Sequence, residues 1–456
     1  MGVLLQSAID SQQSAIPMLD IIRSDNEEAV SRLLEARATN LSSAEAVARR
    51  IIANVRRQGD AALIRYSRRF DGVDLRKVGM MVTPDEFDCA CYNLPSFFVN
   101  ALWVAAKNIR SVARRQLSRP WQVQPLPGVK VSQVVRPLER VACYVPGGRF
   151  PLPSTVLMSV IPAQVAGVRE IVITSPKPAP AVLVAAHMLG VTKVYRLGGA
   201  QAVAAFAYGT ESIPRVDKIV GPGNRYVAAA KKLVAGECGI DFVAGPSELV
   251  VVGAEGNPNW IAADLVAQAE HDPDAVAVLI TSSLKLARRV QACAAQIVSQ
   301  LRLPVARESL AGQGRIILTR NLAVAAEFAN RLAPEHLTLL EGAEGLLDQI
   351  NSAGSVFLGG YSPVAAGDYA SGTNHILPTS GVARLRGGLS ATDFVKYISV
   401  QQISRKGLAR LRPSIATLAR AEGLKAHAAS VEARFRGSSP QQRRGQGVKS
   451  LRDNSA

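Results

Sequence analysis

Histidine and cysteine are both scarce in this chain, with five of each among 456 residues. The cysteines follow no regular spacing and stand at Cys89, Cys91, Cys143, Cys238 and Cys293. The Cys89-Ala90-Cys91 pair has no second pair at zinc-knuckle spacing, which excludes a cysteine zinc site. An odd number of thiols without a disulfide framework favours a reducing compartment, so we expect a cytoplasmic protein.

Long apolar runs are also missing, since no stretch approaches the roughly 18 residues of a membrane span. The first residues lack the basic start and apolar centre of a secretory signal. We therefore expect no membrane partner. Hydrophobic and charged contents of 48% and 20% are typical of globular proteins. The chain is too long for one hydrophobic core, and we expect two or three domains.

Aromatic residues make up only 5% of the chain, and none alternate with a basic stripe as in single-strand nucleic-acid binders. The net charge of +17 includes a Gly/Ser/Gln-rich tail, residues 436–456, with five basic residues and one acid. We expect this tail and residues 1–17 to be disordered. The other basic residues are spread along helical patterns, so we expect no nucleic-acid partner.

The chain changes character near residue 138. Before it, a 3.6-residue apolar period predicts helices over residues 18 to about 120. After it, short apolar runs alternate with helical segments at spacings typical of βαβ units, which predicts an α/β fold with parallel sheets. The predicted strands are 140–145, 170–174, 193–197, 218–220, 248–252, 276–281, 316–319, 337–340 and 356–358. Ligands of such sheets bind at the carboxyl ends of the strands, so we expect a binding site in the loops there.

Three glycine-rich turns end strands in this half of the chain. They contain Tyr144, Gln201 and Asn224 in the sequences YVPGG, GGAQ and GPGN. Gly221-Pro222-Gly223-Asn224-Arg225-Tyr226 has Tyr where the GxGxxG dinucleotide fingerprint has its third glycine, so any nicotinamide cofactor is held in a non-standard way. Each turn either lets the backbone approach a phosphorylated ligand or is only a tight turn.

Four of the five histidines lie in polar clusters. His271 ends the sequence QAEH, where Gln268 lies three residues earlier on the same predicted helix face. This pair could bind a cation, or His271 could simply cap the helix dipole. Glu335-His336 lies in a turn between a helix and a strand and suits acid–base chemistry or a turn ion pair.

The remaining clusters lie towards the C-terminus. The glycine-punctuated loop VAAGDYASGTNH contains Asp368 and His375, and its polar groups need partners to become ordered. A ligand or metal could supply these partners, or the loop could be solvated. Glu422 and His427 flank Gly423, which predicts a break between two helices at 413–422 and 424–435.

Taken together, these motifs resemble the histidinol dehydrogenase family. The resemblance runs from about Met18 to Phe435 and rests on GPGNRYVAAAKKLV, AGPSELVVV, ADLVAQAEHDPD, APEHL and SPVAAGDYASGTNHILPTSGVARLRGGLSATDF. It implies NAD-dependent oxidation of histidinol through histidinal to histidine, with one zinc per chain that positions the substrate.

The resemblance also implies a role for each candidate residue. The implied acid–base pair is Glu335 and His336. The implied zinc ligands, which also face the substrate, are Gln268, His271, Asp368 and His427. Further implied substrate contacts are Ser247, His375 and Glu422, and the implied NAD contacts are Tyr144, Gln201 and Asn224.

The implied architecture has two Rossmann-like lobes. We expect residues 18–137 and 248–390 to form the first lobe and residues 138–247 to form an inserted, NAD-binding lobe. A helical tail, residues 391–435, is expected to join a homodimer whose sites are shared between subunits. Two alternatives stay open: a related enzyme that oxidises another small alcohol, such as a sulfonated diol, and a non-catalytic zinc-binding or basic interaction protein.

Overall fold

The computed structural model describes residues 18–36, 41–148 and 151–436. Apart from Arg436, the two segments that we predicted to be disordered lie outside the described residues. The strands are β1 (Asp20–Arg23), β2 (Trp121–Leu126), β3 (Val129–Pro137), β4 (Arg140–Tyr144), β5 (Glu170–Thr174), β6 (Val194–Tyr195), β7 (Lys218–Val220), β8 (Gly239–Ile240), β9 (Glu248–Val252), β10 (Val276–Thr281), β11 (Arg315–Leu318), β12 (His336–Leu339), β13 (Ser355–Leu358) and β14 (Val395–Ile403).

The α-helices connect and cover these strands. In chain order they are α1 (Glu27–Ala36), α2 (Ser42–Tyr66), α3 (Leu75–Val78), α4 (Pro84–Asn93), α5 (Ser96–Gln116), α6 (Pro153–Ala166), α7 (Pro180–Met188), α8 (Gly199–Tyr208), α9 (Arg225–Val234), α10 (Pro258–Ala269), α11 (Leu284–Leu301), α12 (Pro304–Gly312), α13 (Leu322–Leu332), α14 (Val364–Tyr369), α15 (Arg405–Ala421) and α16 (Lys425–Ala433). Within the described residues, no single helix is long and apolar enough to cross a membrane, although α4 and α5, which meet at a bend of 107°, pass that test together.

Two parallel sheets form the first of two compact units, residues 1–117 and 137–395. One sheet has the strand order β1-β11-β10-β9-β12-β13 and the other β6-β5-β4-β7-β8. Counted from β9 and from β4, both follow the doubly wound order 3-2-1-4-5, with β1 added at one edge. The predicted α/β fold with parallel sheets is confirmed. The predicted runs 218–220, 248–252 and 276–281 coincide with β7, β9 and β10.

The N-terminal helices pack differently from our prediction. Only β1 and α1 join the lobe built on 248–390, where β1 pairs with β11 and Val30 and Leu33 enter its core. Helix α2 instead packs on α8 and α9, while α4 and α5 pack on α7 and α6. The reason is burial, because the apolar faces of these helices share two cores with β4–β7 of the inserted lobe.

The second unit comprises residues 118–136 and 396–456, of which the structure describes the part up to Arg436. Its sheet has the order β14-β3-β2 and is followed by α15 and α16. We had predicted that the C-terminal segment is purely helical, and β14 shows that this prediction was wrong. Strand β14 was not among the predicted strands. Its apolar residues do not alternate and cover no buried core, since Tyr397, Ile398 and Val400 are exposed.

Candidate active site

Glu335 and His336 lie where β12 begins. Helix α13 ends at Leu332, Ala333 adopts a left-handed conformation with φ of 45°, and Pro334 prevents further helix. His336 pairs with Leu249 of β9, its neighbour at the reversal of strand order. The pair thus lies at the amino edge of its sheet, whereas the sequence had predicted ligand binding at the carboxyl edge. The tight turn from α13 delivers both side chains there.

The Glu335 carboxylate is buried and held in place. The residue is 6% exposed, and its Oε2 accepts a hydrogen bond of 2.8 Å from the Glu248 amide. Burial raises the pKa of Glu335 to about 7, although neighbouring His336 acts in the opposite direction. A carboxyl group with this pKa can both take up and release a proton near neutral pH.

The His336 imidazole lies between two carboxylates. Its Nδ1 is 3.9 Å from Glu335 Oε2 and its Nε2 is 3.5 Å from Asp368 Oδ1. These distances exceed hydrogen-bond length, and within the described residues neither ring nitrogen has a hydrogen-bond partner. Burial opposes protonation of the ring, but the two carboxylates outweigh it and raise the pKa of His336. The ring is thus available to receive a proton from a ligand.

Asp368 lies beside His336 and also interacts with two further predicted residues, His375 and His271. Burial alone would raise its pKa, yet the contact with His336, with a smaller electrostatic influence of His375 and His271, lowers it. The Asp368 carbonyl oxygen lies 2.9 Å from His375 Nδ1. Because a carbonyl only accepts, Nδ1 carries the hydrogen and Nε2 is an acceptor, 3.3 Å from the Thr155 hydroxyl. Burial lowers the pKa of His375, which favours this neutral form.

Gln268 and His271 lie at the end of α10. The helix ends at Ala269, so His271 lies just beyond it and not on a continuing helix face as predicted. The His271 amide still donates to the Gln268 carbonyl at 3.5 Å, which keeps the two residues in one turn. Gln268 is 2% exposed, and its Nε2 has no hydrogen-bond partner among the described residues. A buried amide of this kind is available for a ligand.

Ser247 and Glu248, at the start of β9, lie at the same amino edge of the sheet as Glu335 and His336. Ser247 is half-buried, and its carbonyl accepts from the Val276 amide at 2.9 Å. The buried Glu248 was not among our candidates, although its amide donates to Glu335 and its Oε1 accepts from Ser380 at 3.1 Å. A charged residue at the start of an otherwise apolar strand, ELVVV, was the signal in the sequence that could have identified it.

The three predicted dinucleotide contacts lie at the carboxyl edge of the other sheet. Tyr144 is the last residue of β4, and its hydroxyl oxygen accepts a hydrogen bond from the Gly199 amide at 3.0 Å. Gln201 Nε2 donates to Asp71 at 3.1 Å, while its buried Oε1 has no hydrogen-bond partner among the described residues. Asn224 caps α9, and its Oδ1 accepts from two backbone amides.

Tyr144 is the last residue of β4 and Asn224 lies four residues after β7, and the order of this sheet reverses between these two strands. The crevice at such a reversal is where doubly wound sheets bind nucleotides.

Glu422 and His427 lie in the second unit. Helix α15 ends at Ala421, Glu422 is its exposed C-cap, and Gly423 has φ of 78°. His427 lies in the first turns of α16 and is also exposed. The predicted helix break at Gly423 is confirmed, and α15 begins earlier than predicted, with Pro413 inside it.

The donor atoms of this site suit zinc, which takes imidazole nitrogen and carboxylate or amide oxygen as ligands. The chemistry of these donor groups is what favours a bound ion, because the partnerless Gln268 Nε2 is a hydrogen-bond donor that would face an acceptor of the substrate. Within the described residues, no three His, Cys, Asp or Glu side chains form a group that could hold a metal.

The sequence of residues 34–435 matches the profile of the histidinol dehydrogenase family. The chain belongs to this family. It is 49% identical over 395 residues to a histidinol dehydrogenase of Methanothermobacter thermautotrophicus, covering 85% of this chain and 92% of the relative. The corresponding enzyme of Syntrophotalea carbinolica is 46% identical over 428 residues, covering 92% and 99%.

A solved structure supports the same assignment. Histidinol dehydrogenase from Elizabethkingia anophelis superposes with a TM-score of 0.87 at 36% identity, covering 91% of this chain and 98% of that one. As a histidinol dehydrogenase family member, the protein is an oxidoreductase of histidine biosynthesis.

Gly354 offers a test of whether the Glu335-His336 pair must be accurately placed for catalysis. A Cβ at this position would lie 2.6 Å from the Glu335 carbonyl oxygen, so Gly354→Ala must displace that backbone. Because misplacing a catalytic group by about 1 Å can cost on the order of 10²-fold in rate, we expect kcat to fall by about this factor. Gly345→Ala is the control, since its Cβ would meet no atom within 4 Å. Equal rates in the two variants would contradict the requirement.

Proposed function

We propose that the protein oxidises L-histidinol through L-histidinal to L-histidine as a cytoplasmic NAD-dependent enzyme. The proposal rests on one observation above all: a buried Glu335-His336 pair, in contact with Asp368, in a chain of the histidinol dehydrogenase family. An alcohol oxidation needs a group that accepts the hydroxyl proton, and this pair provides one.

The two cofactors have separate places in this proposal. Zinc, held by Gln268, His271, Asp368 and His427, would position the imidazole and amine of the substrate as a Lewis acid. NAD would lie against Tyr144, Gln201 and Asn224 and serve as the hydride acceptor for both oxidations. The partnerless Gln201 Oε1 supports a ligand at the second place, and the partnerless Gln268 Nε2, a donor, supports a hydrogen-bond acceptor of the substrate at the first.

The proton steps follow from the geometry of the pair. His336 accepts the hydroxyl proton in the first oxidation, because its ring nitrogens are buried and are not hydrogen-bonded to any described residue. Glu335, with a pKa of about 7, then removes a proton from the water that adds to the aldehyde. Over the whole reaction one alcohol and one water give a carboxylate, two hydrides and three protons.

We further propose a homodimer that shares its active sites. The sheet of the second unit leaves large apolar side chains exposed on β2 and β14, including Trp121, Val123 and Ile398. Apolar side chains exposed together on one sheet commonly mark protein interfaces. We propose that Glu422 and His427 of one subunit then contact substrate and zinc at the partner's site, as the family resemblance implies.

A stoichiometric assay tests the proposed reaction. Limiting histidinol incubated with excess NAD should yield two NADH and one histidine per histidinol. One NADH with accumulation of histidinal would restrict the enzyme to a single oxidation. The absence of NADH, with the protein folded and loaded with zinc, would refute the substrate assignment, and sulfonated diols would be tested next.

Mixed dimers test the shared site. A Glu335→Gln chain and a His427→Ala chain, each impaired alone, should recover part of the wild-type activity when refolded together. One of the two sites in such a hybrid then has an intact Glu335 and an intact His427. If hybrid dimers form, as judged by differently tagged chains, but stay inactive, His427 serves its own subunit.

A further inference from the structure

A buried ion pair in the inserted lobe has no part in the function described so far. Lys231 on α9 is 2% exposed, and Asp241, which follows β8, is 4% exposed. The Lys231 Nζ contacts Asp241 Oδ1. Two buried charges cost more to desolvate than an apolar pair of the same volume, so such a pair is expected to have a further task.

Both charged groups hold the backbone of one residue, Gly221. The Lys231 ammonium donates to the Gly221 carbonyl at 3.0 Å, and the Gly221 amide donates to Asp241 Oδ2 at 2.7 Å. The other carboxylate oxygen accepts from the Phe242 amide, also at 2.7 Å. Charge-assisted hydrogen bonds of this type are stronger than neutral ones, and here they fix both polar groups of a single residue.

Gly221 in turn lies between two of the proposed dinucleotide contacts. Its φ is +115°, and a Cβ there would be 2.1 Å from the Tyr144 carbonyl oxygen. It is the first residue after β7, and Asn224 follows three residues later as the cap of α9. The ion pair therefore fixes the backbone of the residue that follows β7, beside the end of β4, where the strand order reverses.

We propose that Lys231 and Asp241 are positioning residues for the dinucleotide: they hold the Gly221–Asn224 turn against Tyr144 so that the crevice is formed before the cofactor arrives. This inference rests on the proposed NAD site. The ion pair also explains how the Gly221–Asn224 turn can bind a dinucleotide without the third glycine of the usual fingerprint. Side-chain charges hold the turn where the fingerprint relies on close glycine packing.

The test compares single variants with a double variant. Lys231→Met and Asp241→Asn should each raise the KM for NAD by about tenfold, the equivalent of about 1.4 kcal/mol, while the KM for histidinol changes less than about threefold. Lys232→Met is the matched control, because Lys232 is the next residue on α9 and is exposed, with an ion pair to Glu45. It should leave both values unchanged.

The double variant Lys231→Met/Asp241→Leu separates positioning from stability. It removes both buried charges, so its melting temperature should recover relative to Lys231→Met, while Gly221 still lacks both partners. The KM for NAD should therefore stay high. Recovery of this KM together with the melting temperature would overturn the proposal, as would equal increases in the KM for NAD and for histidinol.

Direct binding keeps the inference separate from the proposed reaction. Isothermal titration of NAD into the wild type and the Asp241→Asn protein, which preserves side-chain shape, needs no turnover. Weaker NAD binding by Asp241→Asn supports the inference even if histidinol is not oxidised. Unchanged NAD binding by a folded Asp241→Asn protein refutes the inference even if the wild type converts histidinol.

Discussion

His336→Asn is expected to lower kcat for histidinol oxidation by about 10²- to 10⁴-fold, the usual cost of losing a general base. Asparagine has a similar size but cannot accept the proton, and the ring it replaces is buried between Glu335 and Asp368. Steady-state NADH formation and the melting temperature would be measured together. A fall in rate without a fall in stability identifies His336 as the base.

Glu335→Gln should separate the two oxidations. The amide keeps the shape of the side chain and removes only the carboxylate that we assign to water activation, so the first hydride transfer should be less affected than the second. Stopped-flow measurement should show one fast equivalent of NADH followed by a slow one. Equal slowing of both phases would show that Glu335 supports His336 throughout.

Glu327→Gln serves as the control for this experiment. Glu327 is an exposed carboxylate on α13, the helix that leads to the pair. It should leave both phases unchanged, because solvated surface substitutions away from caps and ion pairs have small effects.

Loss of zinc is the second large effect that we expect. His271→Ala and His427→Ala should each reduce the metal content from about one zinc per chain to well below it, because three protein ligands bind zinc less firmly than four. Metal content is measured on the purified protein by atomic absorption, independently of turnover. Activity should fall in parallel with the zinc.

His187→Ala is the matched control for zinc loss. His187 lies on α7 beside Phe87, outside the polar clusters, so its removal should leave the zinc content unchanged. An unchanged zinc content in the His427→Ala protein would remove His427 from the ligand set. It would leave Gln268, His271 and Asp368 to be completed by another group.

Several features could be predicted from local sequence because local sequence determines them. Buried parallel strands read as short apolar runs, which is why 218–220, 248–252 and 276–281 were predicted with the bounds of β7, β9 and β10. The break at Gly423 was equally accessible, since a left-handed residue ends a helix wherever it occurs. The family motifs identified Glu335, His336 and Asp368, which the fold brings together.

Other features depend on which surfaces meet, and local sequence does not record that. An amphipathic pattern shows that α2 and α5 must bury one face, but only the folded chain shows that the inserted lobe covers it. The exposed strand β14 lacks the apolar signature of a buried strand. The position of Glu335 at the amino edge of the sheet depends on the turn after α13. Lys231 and Asp241 both form hydrogen bonds with Gly221, and no local sequence pattern predicts that these three residues meet.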